Sequence, residues 1–197
     1  MKKIIVLFFL FLPLSLIAQR FTGGVELGLN ASQIQGDLWA GYNKAGLVAG
    51  AFVFTRFDDR WGAQMEIRYA AKGSSINING PYIEKIRLQY IEIPVLGTFD
   101  LVDKIKLQAG ISFGYLFSAA QNFGSGYQEF DNMPNRTELA MCGGINYELF
   151  DRLDVNARYS YSILPIWERY PGATYFEGNA WFNDVITFGI YYWIGGR

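Results

Sequence analysis

Glu66, Arg68, Arg87 and Glu92 come nearest, by type and spacing, to a chemical site in this chain. Residues two apart share a face of an extended chain, so Glu66 and Arg68 point together. In the segment that carries Arg87 and Glu92, apolar residues hold even positions through Tyr90 and odd ones from Ile91 to Val95. That change predicts a bulge near Tyr90 and Ile91 that turns Glu92 the same way as Arg87. Two carboxylates and two guanidiniums can do acid–base work or hold an ionic ligand. They can equally fill a narrow interior as ion pairs, because an unpaired buried charge costs several kcal/mol. The second reading is the better supported. The chain has no histidine, which removes Ser-His-Asp and Cys-His arrangements and most zinc or iron sites. Ser112, Ser160 and Ser162 therefore lack an activating base. No catalytic residue, cofactor site or metal site is expected, and the chain reads as a non-enzyme.

A second set of residues suits recognition. Trp39 and Tyr42 lie in "LWAGYN", Tyr127 and Phe130 in "GYQEFDNMPN", and Trp167, Tyr170 and Tyr175 in "IWERYPGATYF". Aromatic residues mixed with Gly, Asn and acidic residues can bind partners or carbohydrate. They can equally pack on one another; the sequence leaves both open.

The elements that position these residues are extended. Period-two alternation runs through eight segments: Gly24 to Ala31, Ala45 to Phe57, Arg60 to Lys72, Glu84 to Phe99, Lys104 to Phe117, Thr137 to Phe150, Arg152 to Leu164 and Asp184 to Ile194. Such alternation is the mark of strands with two unlike faces. In "KIKLQAGISFGYLF", Ile105, Leu107, Ala109, Ile111, Phe113, Tyr115 and Phe117 oppose Lys106, Gln108, Gly110, Ser112 and Gly114. The third and seventh segments repeat the contrast. The polar faces place Glu26, Lys106, Glu138, Glu148, Asp154 and Arg158 with the four residues above.

Connections alternate too. Those after the second, fourth and sixth segments are tight, at Asp58 and Asp59, "DLVDK" and "FDR". The others are long: "SQIQGDLWAGYN", "GSSINING", "SAAQNFGSGYQEFDNMPN" and "PIWERYPGATYFEGNAW". Tight turns at one end and long loops at the other, with both termini at the tight end, are the asymmetry of outer-membrane barrels. A soluble sandwich has no reason to keep it.

The first residues agree. "MKK" precedes an apolar run from Ile4 to Leu14 and a short tail ending in Ala18, the layout of a secretory signal peptide. Cleavage after Ala18 leaves a barrel domain over 19–197 with 15 basic residues against 18 acidic ones, a net charge of about −3. No basic nucleic-acid footprint remains. The lone Cys142 reads as a packing residue. No later apolar run reaches the ~18 residues of a membrane helix, so a membrane crossing requires a closed barrel. Tyr69, Tyr90, Phe117, Tyr147, Tyr159, Tyr161, Phe188, Tyr192 and Trp193 would then belong to its aromatic girdles.

"AGLVAGAFVFTRFDDRWGAQMEIRYAAKGSSI" followed by "IRLQYIEIPVLGTFDL" resembles the PorT-like outer-membrane β-barrel domain common in Bacteroidetes. The residues carrying the likeness are Gln64, Glu66, Tyr69, Lys72 and Gly73, then Tyr90, Ile91, Glu92, Ile93 and Pro94. Ala70 and Ala71 separate Tyr69 from Lys72, and the last strand ends "YYWIGGR", so Tyr192 or Trp193 would serve as the terminal aromatic. The resemblance implies a Gram-negative outer-membrane protein and raises a link to protein secretion or gliding machinery.

The expectation is therefore an all-β protein, an eight-stranded antiparallel up-and-down transmembrane β-barrel with both termini in the periplasm. Its partners would be outer-membrane lipid and, through the long loops, other envelope or secretion proteins. The alternatives are a soluble lipocalin-like carrier of an apolar ligand, with apolar faces inward, and a small outer-membrane barrel enzyme.

Overall fold

The computed structural model describes residues 21–37, 39, 41–78, 82–122, 124, 126–130, 134–168 and 180–194. Ten strands follow in chain order: β1 (Thr22–Gln35), β2 (Lys44–Arg56), β3 (Trp61–Ile78), β4 (Tyr82–Val102), β5 (Ile105–Asn122), β6 (Gln128–Glu129), β7 (Thr137–Phe150), β8 (Leu153–Ser162), β9 (Trp167–Glu168) and β10 (Ala180–Ile194). Eight are long, and each pairs antiparallel with its long neighbours in the chain. β10 returns to β1 from Gly23↔Ile194 to Gln35↔Phe182, so the sheet closes as a barrel and leaves no edge. The two-residue strands β6 and β9 add to the rims of β5 and β10.

The faces sort as the alternation predicts. Leu27, Ile67, Val95, Ile111, Phe113, Met141, Ile145 and Phe188 are exposed, as are Tyr115, Phe117, Tyr147, Tyr159 and Tyr192. Gln64, Glu66, Arg68, Gln108, Asn146, Asn156 and Arg158 are buried inside. A carrier with an apolar cavity would have the reverse arrangement, so the lipocalin-like alternative falls on this inversion. A continuous exposed apolar belt around a charged interior is the construction of a barrel whose outer solvent is lipid.

At one end the connections are residues 57–60, 103–104 and 151–152, and the first and last barrel strands start and finish beside them. Backbone bonds lace this end together: Arg60 O accepts from Asp100 N at 2.8 Å, Lys104 O from Glu148 N at 2.8 Å and Arg152 O from Trp193 N at 2.9 Å. Lys104 takes the left-handed conformation, φ 70°, that a two-residue turn requires.

Three expectations are corrected. First, "GSSINING" is not a long loop. β3 runs to Ile78 and pairs with β4 as far as Ile78↔Tyr82, so only 79–81 separate them. Serine and asparagine are poor strand formers, but a long partner strand in register overrides the local preference. Second, β4 has no change of phase: Ile86, Leu88, Tyr90, Glu92, Leu96 and Thr98 are all buried, and Ile91, Ile93 and Val95 are all exposed. What changes along β4 is the chemistry of the interior. It is apolar near the loops and charged below, so a switch of polarity imitates a switch of face. The irregularity is on the partner: Gln89 pairs with Ser118 and Tyr90 with Leu116, which leaves Phe117 of β5 as the extra residue. Third, Tyr90 and Trp193 lie inside the barrel rather than in a girdle. Pro94 does mark an irregular place, since the β3–β4 ladder stops at Met65↔Val95 and resumes at Arg68↔Glu92.

Candidate functional site

The interior is filled in three layers. Nearest the turns, Phe52, Phe54, Tyr191 and Trp193 form an aromatic plug. Trp193 meets Phe52 edge-on at 4.9 Å and Phe54 at 5.5 Å between centroids, the arrangement the ring quadrupoles favour. Its indole N–H donates to Asp154 at 2.9 Å, and the Lys106 ammonium sits 4.4 Å from the Phe54 ring centre. Outside this plug the turn end opens as a recess of about 390 Å³ lined by Arg56, Asp100, Lys104 and Glu148 among others.

Above the plug lies a chain of ion pairs. Arg158 holds Glu66 with two parallel bonds of 2.7 Å, the bidentate geometry that suits guanidinium and carboxylate. It also donates to Tyr191 Oη at 2.9 Å and Gln108 Oε1 at 3.0 Å. Gln64 Nε2 donates to Glu66 at 2.7 Å, and Tyr191 Oη donates to it at 3.1 Å. Arg68 lies 3.6 Å from Glu66 and donates to Glu92 at 2.9 Å. Glu92 passes the chain to Lys72 at 2.5 Å, and Lys72 to Glu138 at 2.9 Å. Glu138 accepts from Ser162 Oγ at 2.6 Å and Asn183 Nδ2 at 3.1 Å. β5 gives this network room: a Cβ on Gly114 would sit 3.3 Å from both Glu138 Oε2 and the Tyr90 ring. Glu26 is the member with the poorest partner, since among the described residues its nearest cation is Arg68 at 3.9 Å and its Oε1 accepts no hydrogen bond.

At the loop end Ile34, Ile86, Leu88, Tyr90, Leu116, Ala119 and Ile166 form an apolar lid, with Trp39, Phe130 and Trp181 packed on it.

Of the four residues singled out by sequence, Glu66, Arg68 and Glu92 lie together in the interior. Arg87 does not join them. It is on the outward face of β4, half-buried, with its guanidinium 4.0 Å over the exposed Tyr127 ring. Sequence reasoning grouped it with Glu92 through the phase slip that β4 does not have. Lys72 belongs in the cluster and was left out, although its place four residues beyond Arg68 on the same face would have found it. Arg158 and Glu138 were read as inward, but their pairing across the barrel requires closure of the sheet and no spacing along the chain shows it. Lys106 and Asp154 serve the aromatic plug instead, and Glu148 is half-buried at the turn end.

The described loop aromatics are each engaged within the protein. Trp39 and Phe130 pack on the lid, Trp167 lies 4.8 Å from Trp181, and Tyr127 carries Arg87. Tyr42 donates to Asp184 at 2.8 Å, and burial together with that acceptor pushes its phenol up to about 12. Asp184 also accepts from Gln33 Nε2 at 2.9 Å, and Gln33 Oε1 accepts from Gly41 N at 3.0 Å, so the β1–β2 connection is tied to β10 through Tyr42 and Gly41. Tyr170 and Tyr175 lie outside the described residues.

Chemically the network is a set of ion pairs in which Glu66, Glu92 and Glu138 are each held by cations, while among the described residues Glu26 Oε1, Arg68 Nη1 and Arg158 Nε are left without a hydrogen-bond partner. Among the described residues no group of three or more His, Cys, Asp or Glu side chains is placed to hold a metal ion.

Solved structures share this architecture. Neisserial surface protein A is 14% identical, with a TM-score of 0.57 over 87% of this chain and 96% of its own. Ail, the attachment invasion locus protein of Yersinia pestis, solved with the heparin analogue sucrose octasulfate, is also 14% identical, with a TM-score of 0.52 over 88% of this chain and 99% of its own. At such identity the likeness is one of fold. No curated protein sequence matches the chain. Residues 17–168 match the family described as the outer membrane protein beta-barrel domain, and the chain belongs to that family as an outer-membrane β-barrel protein.

Proposed function

We propose that this barrel is a non-enzymatic outer-membrane protein that works through its outer surfaces, as a structural or partner-binding element of the envelope. The observation that carries this reading is the filled interior. Among the described residues the aromatic plug, the paired charges and the apolar lid fill the barrel between its two ends, and the charged recess at the turn end lies outside the plug. An eight-stranded barrel is just wide enough for its side chains to fill it. In this reading residues 1–18 are a signal peptide removed on export, the turns and both termini face the periplasm, and the loop end faces outward. Ail, which shares the fold, was solved with a bound heparin analogue, so ligand binding is within the reach of such a scaffold. The PorT-like motifs favour an envelope partner from a secretion or gliding assembly.

The test is affinity capture from detergent-solubilised membranes under conditions that keep the barrel folded. Reproducible co-purification of an envelope protein, lost when the loop end is altered by Tyr127→Ala but kept with Arg60→Ala at the turn end, is the expected result. Recovery of the barrel alone would sink the partner-binding reading. A hydrolase or transferase activity abolished by Glu66→Ala or Glu92→Ala, in variants that remain folded, would replace it with the enzyme reading.

A further inference from the structure

The recess at the turn end, about 390 Å³ in volume, is enclosed almost wholly by charged and polar side chains. Asn146 and Asp154 line it although each is only 2% exposed, which puts them at its bottom, against the aromatic plug. In the ring of eight long strands β2 stands four places from β7, and β3 four places from β8. The β2–β3 turn therefore faces the β7–β8 turn across the mouth.

Those two walls differ in sign. On the β7–β8 side the lining is Asn146, Glu148 and Asp154, and among the described residues it includes no cation. On the opposite side Arg56 and Arg60 line the recess beside Asp59, and Lys104 joins them from the β4–β5 turn. Arg56 is taken up by Asp100 at 2.6 Å, whereas Arg60 and Lys104 are exposed on the rim. The rim itself is fixed, since Arg60 O accepts from Asp100 N and Lys104 O from Glu148 N, both at 2.8 Å. Charges of both signs are thus held apart on a frame that needs no ordering when a ligand arrives.

This lining selects the charge of what can sit in it. A purely anionic group meets Glu148 and Asp154, and a purely cationic one meets Arg60 and Lys104. An apolar group would take water from both walls and return no hydrogen bonds. A molecule with an ammonium and a carboxylate some ångströms apart satisfies both. The volume falls within the ~300–1,000 Å³ of small-molecule sites, and an adjoining recess that shares Lys104 and Glu148 lengthens it along the mouth.

We propose that the turn-end recess binds a short zwitterionic peptide, with its ammonium at Glu148 and Asp154 and its carboxylate at Arg60 and Lys104. With the turns in the periplasm, such peptides come from the stems of the cell wall or from free peptides of that compartment, and for this source the site rests on the orientation given under the proposed function.

The probe is the wall tripeptide L-Ala-γ-D-Glu-meso-diaminopimelate, added to the full barrel in neutral detergent and followed by saturation-transfer NMR. It is compared with the same peptide acetylated at its amines and the same peptide amidated at its carboxylates. The free tripeptide should bind, and each blocked form should bind at least about fivefold more weakly. The pair Arg60→Gln, Lys104→Gln should weaken the free tripeptide by a similar factor and abolish the effect of amidation, while Glu148→Gln should abolish that of acetylation. Lys85→Gln at the loop end should change neither. Heat-dependent migration on gels checks that each variant is folded. If Glu148→Gln fails to fold, the exposed pair Arg60 and Lys104 decides alone. Equal binding of free and blocked peptides, or of wild type and the folded variants, overturns the proposal. Co-sedimentation with purified sacculi separates the two sources, since retention on sacculi assigns the recess to the wall and binding of the soluble tripeptide alone assigns it to free peptides. Envelope-protein capture through the loop end can fail without altering either result.

Discussion

At the residue scale the interior divides charges that are closely held from one that is held weakly. Arg158 is fully buried and makes four hydrogen bonds, two of them to Glu66. Removing it takes the bidentate partner from Glu66 and a donor from two neutral partners, all of them buried. Arg158→Met should cost about 3–5 kcal/mol in urea unfolding from micelles. The double variant Glu66→Leu, Arg158→Met should recover a large part of that loss, because two apolar groups leave no charge unpaired. A double variant no more stable than Arg158→Met alone would show that the pair is not the unit of stabilisation. Glu26 is the contrasting case. The network around it holds Glu26, Glu66, Glu92 and Glu138 against Arg68, Lys72 and Arg158, and Glu26 has the weakest hold on a cation. Glu26→Gln removes a desolvated charge with little to lose. It should leave stability within about 1 kcal/mol of wild type or raise it, and a loss near that of Arg158→Met would contradict this account.

At the scale of elements, β3, β4 and β5 reach furthest, with 18, 21 and 18 residues where about 9–11 suffice to cross a membrane. The β3–β4 hairpin therefore continues past the belt, and Gly73 sits where it does so. Its φ is 136°, and a Cβ there would lie 2.0 Å from the Ile86 carbonyl oxygen. Gly73→Ala should cost about 1–3 kcal/mol through backbone strain alone, visible as faster hydrogen exchange above Arg87 with the belt unchanged. Uniform loss of protection along the whole barrel would mean that Gly73 is instead part of its global stability. This hairpin also shows where legibility ended. Strand existence and facing were readable wherever one solvent covers each face along the whole strand, as in β8. In β4 the interior itself changes from apolar to charged between Tyr90 and Glu92, and alternation alone reads that as a turn of the chain. Arg87 was misplaced for that reason. Glu66, Arg68 and Glu92 were found because they lie where the interior is polar, while the pairing of Glu66 with Arg158, 92 residues apart, depends on closure of the sheet.

At the scale of the molecule, belt and network are two views of one solvent problem. Charged groups turn inward, where they neutralise one another, and apolar groups turn outward, which is stable only if the surroundings are apolar. That dependence is measurable by depth. On β5 the outward row runs from Ile105 at the turn end through Ile111 to Phe117 at the loop end. Ile111 is 54% exposed and stands near the middle of the row, while Trp61 of β3 is 55% exposed at the turn end. In water, two equally exposed positions would tolerate arginine about equally. In a bilayer, Ile111→Arg should cost about 2–4 kcal/mol and Trp61→Arg about 0–1 kcal/mol from the charge itself, because the penalty for a cation on the lipid face falls from the midplane to the interface. Unfolding both variants from lipid vesicles reads the difference directly. Costs that do not differ with depth would mean that the exposed belt is not the surface this protein turns to lipid, whereas a graded loss would assign Ile111 to the hydrocarbon midplane.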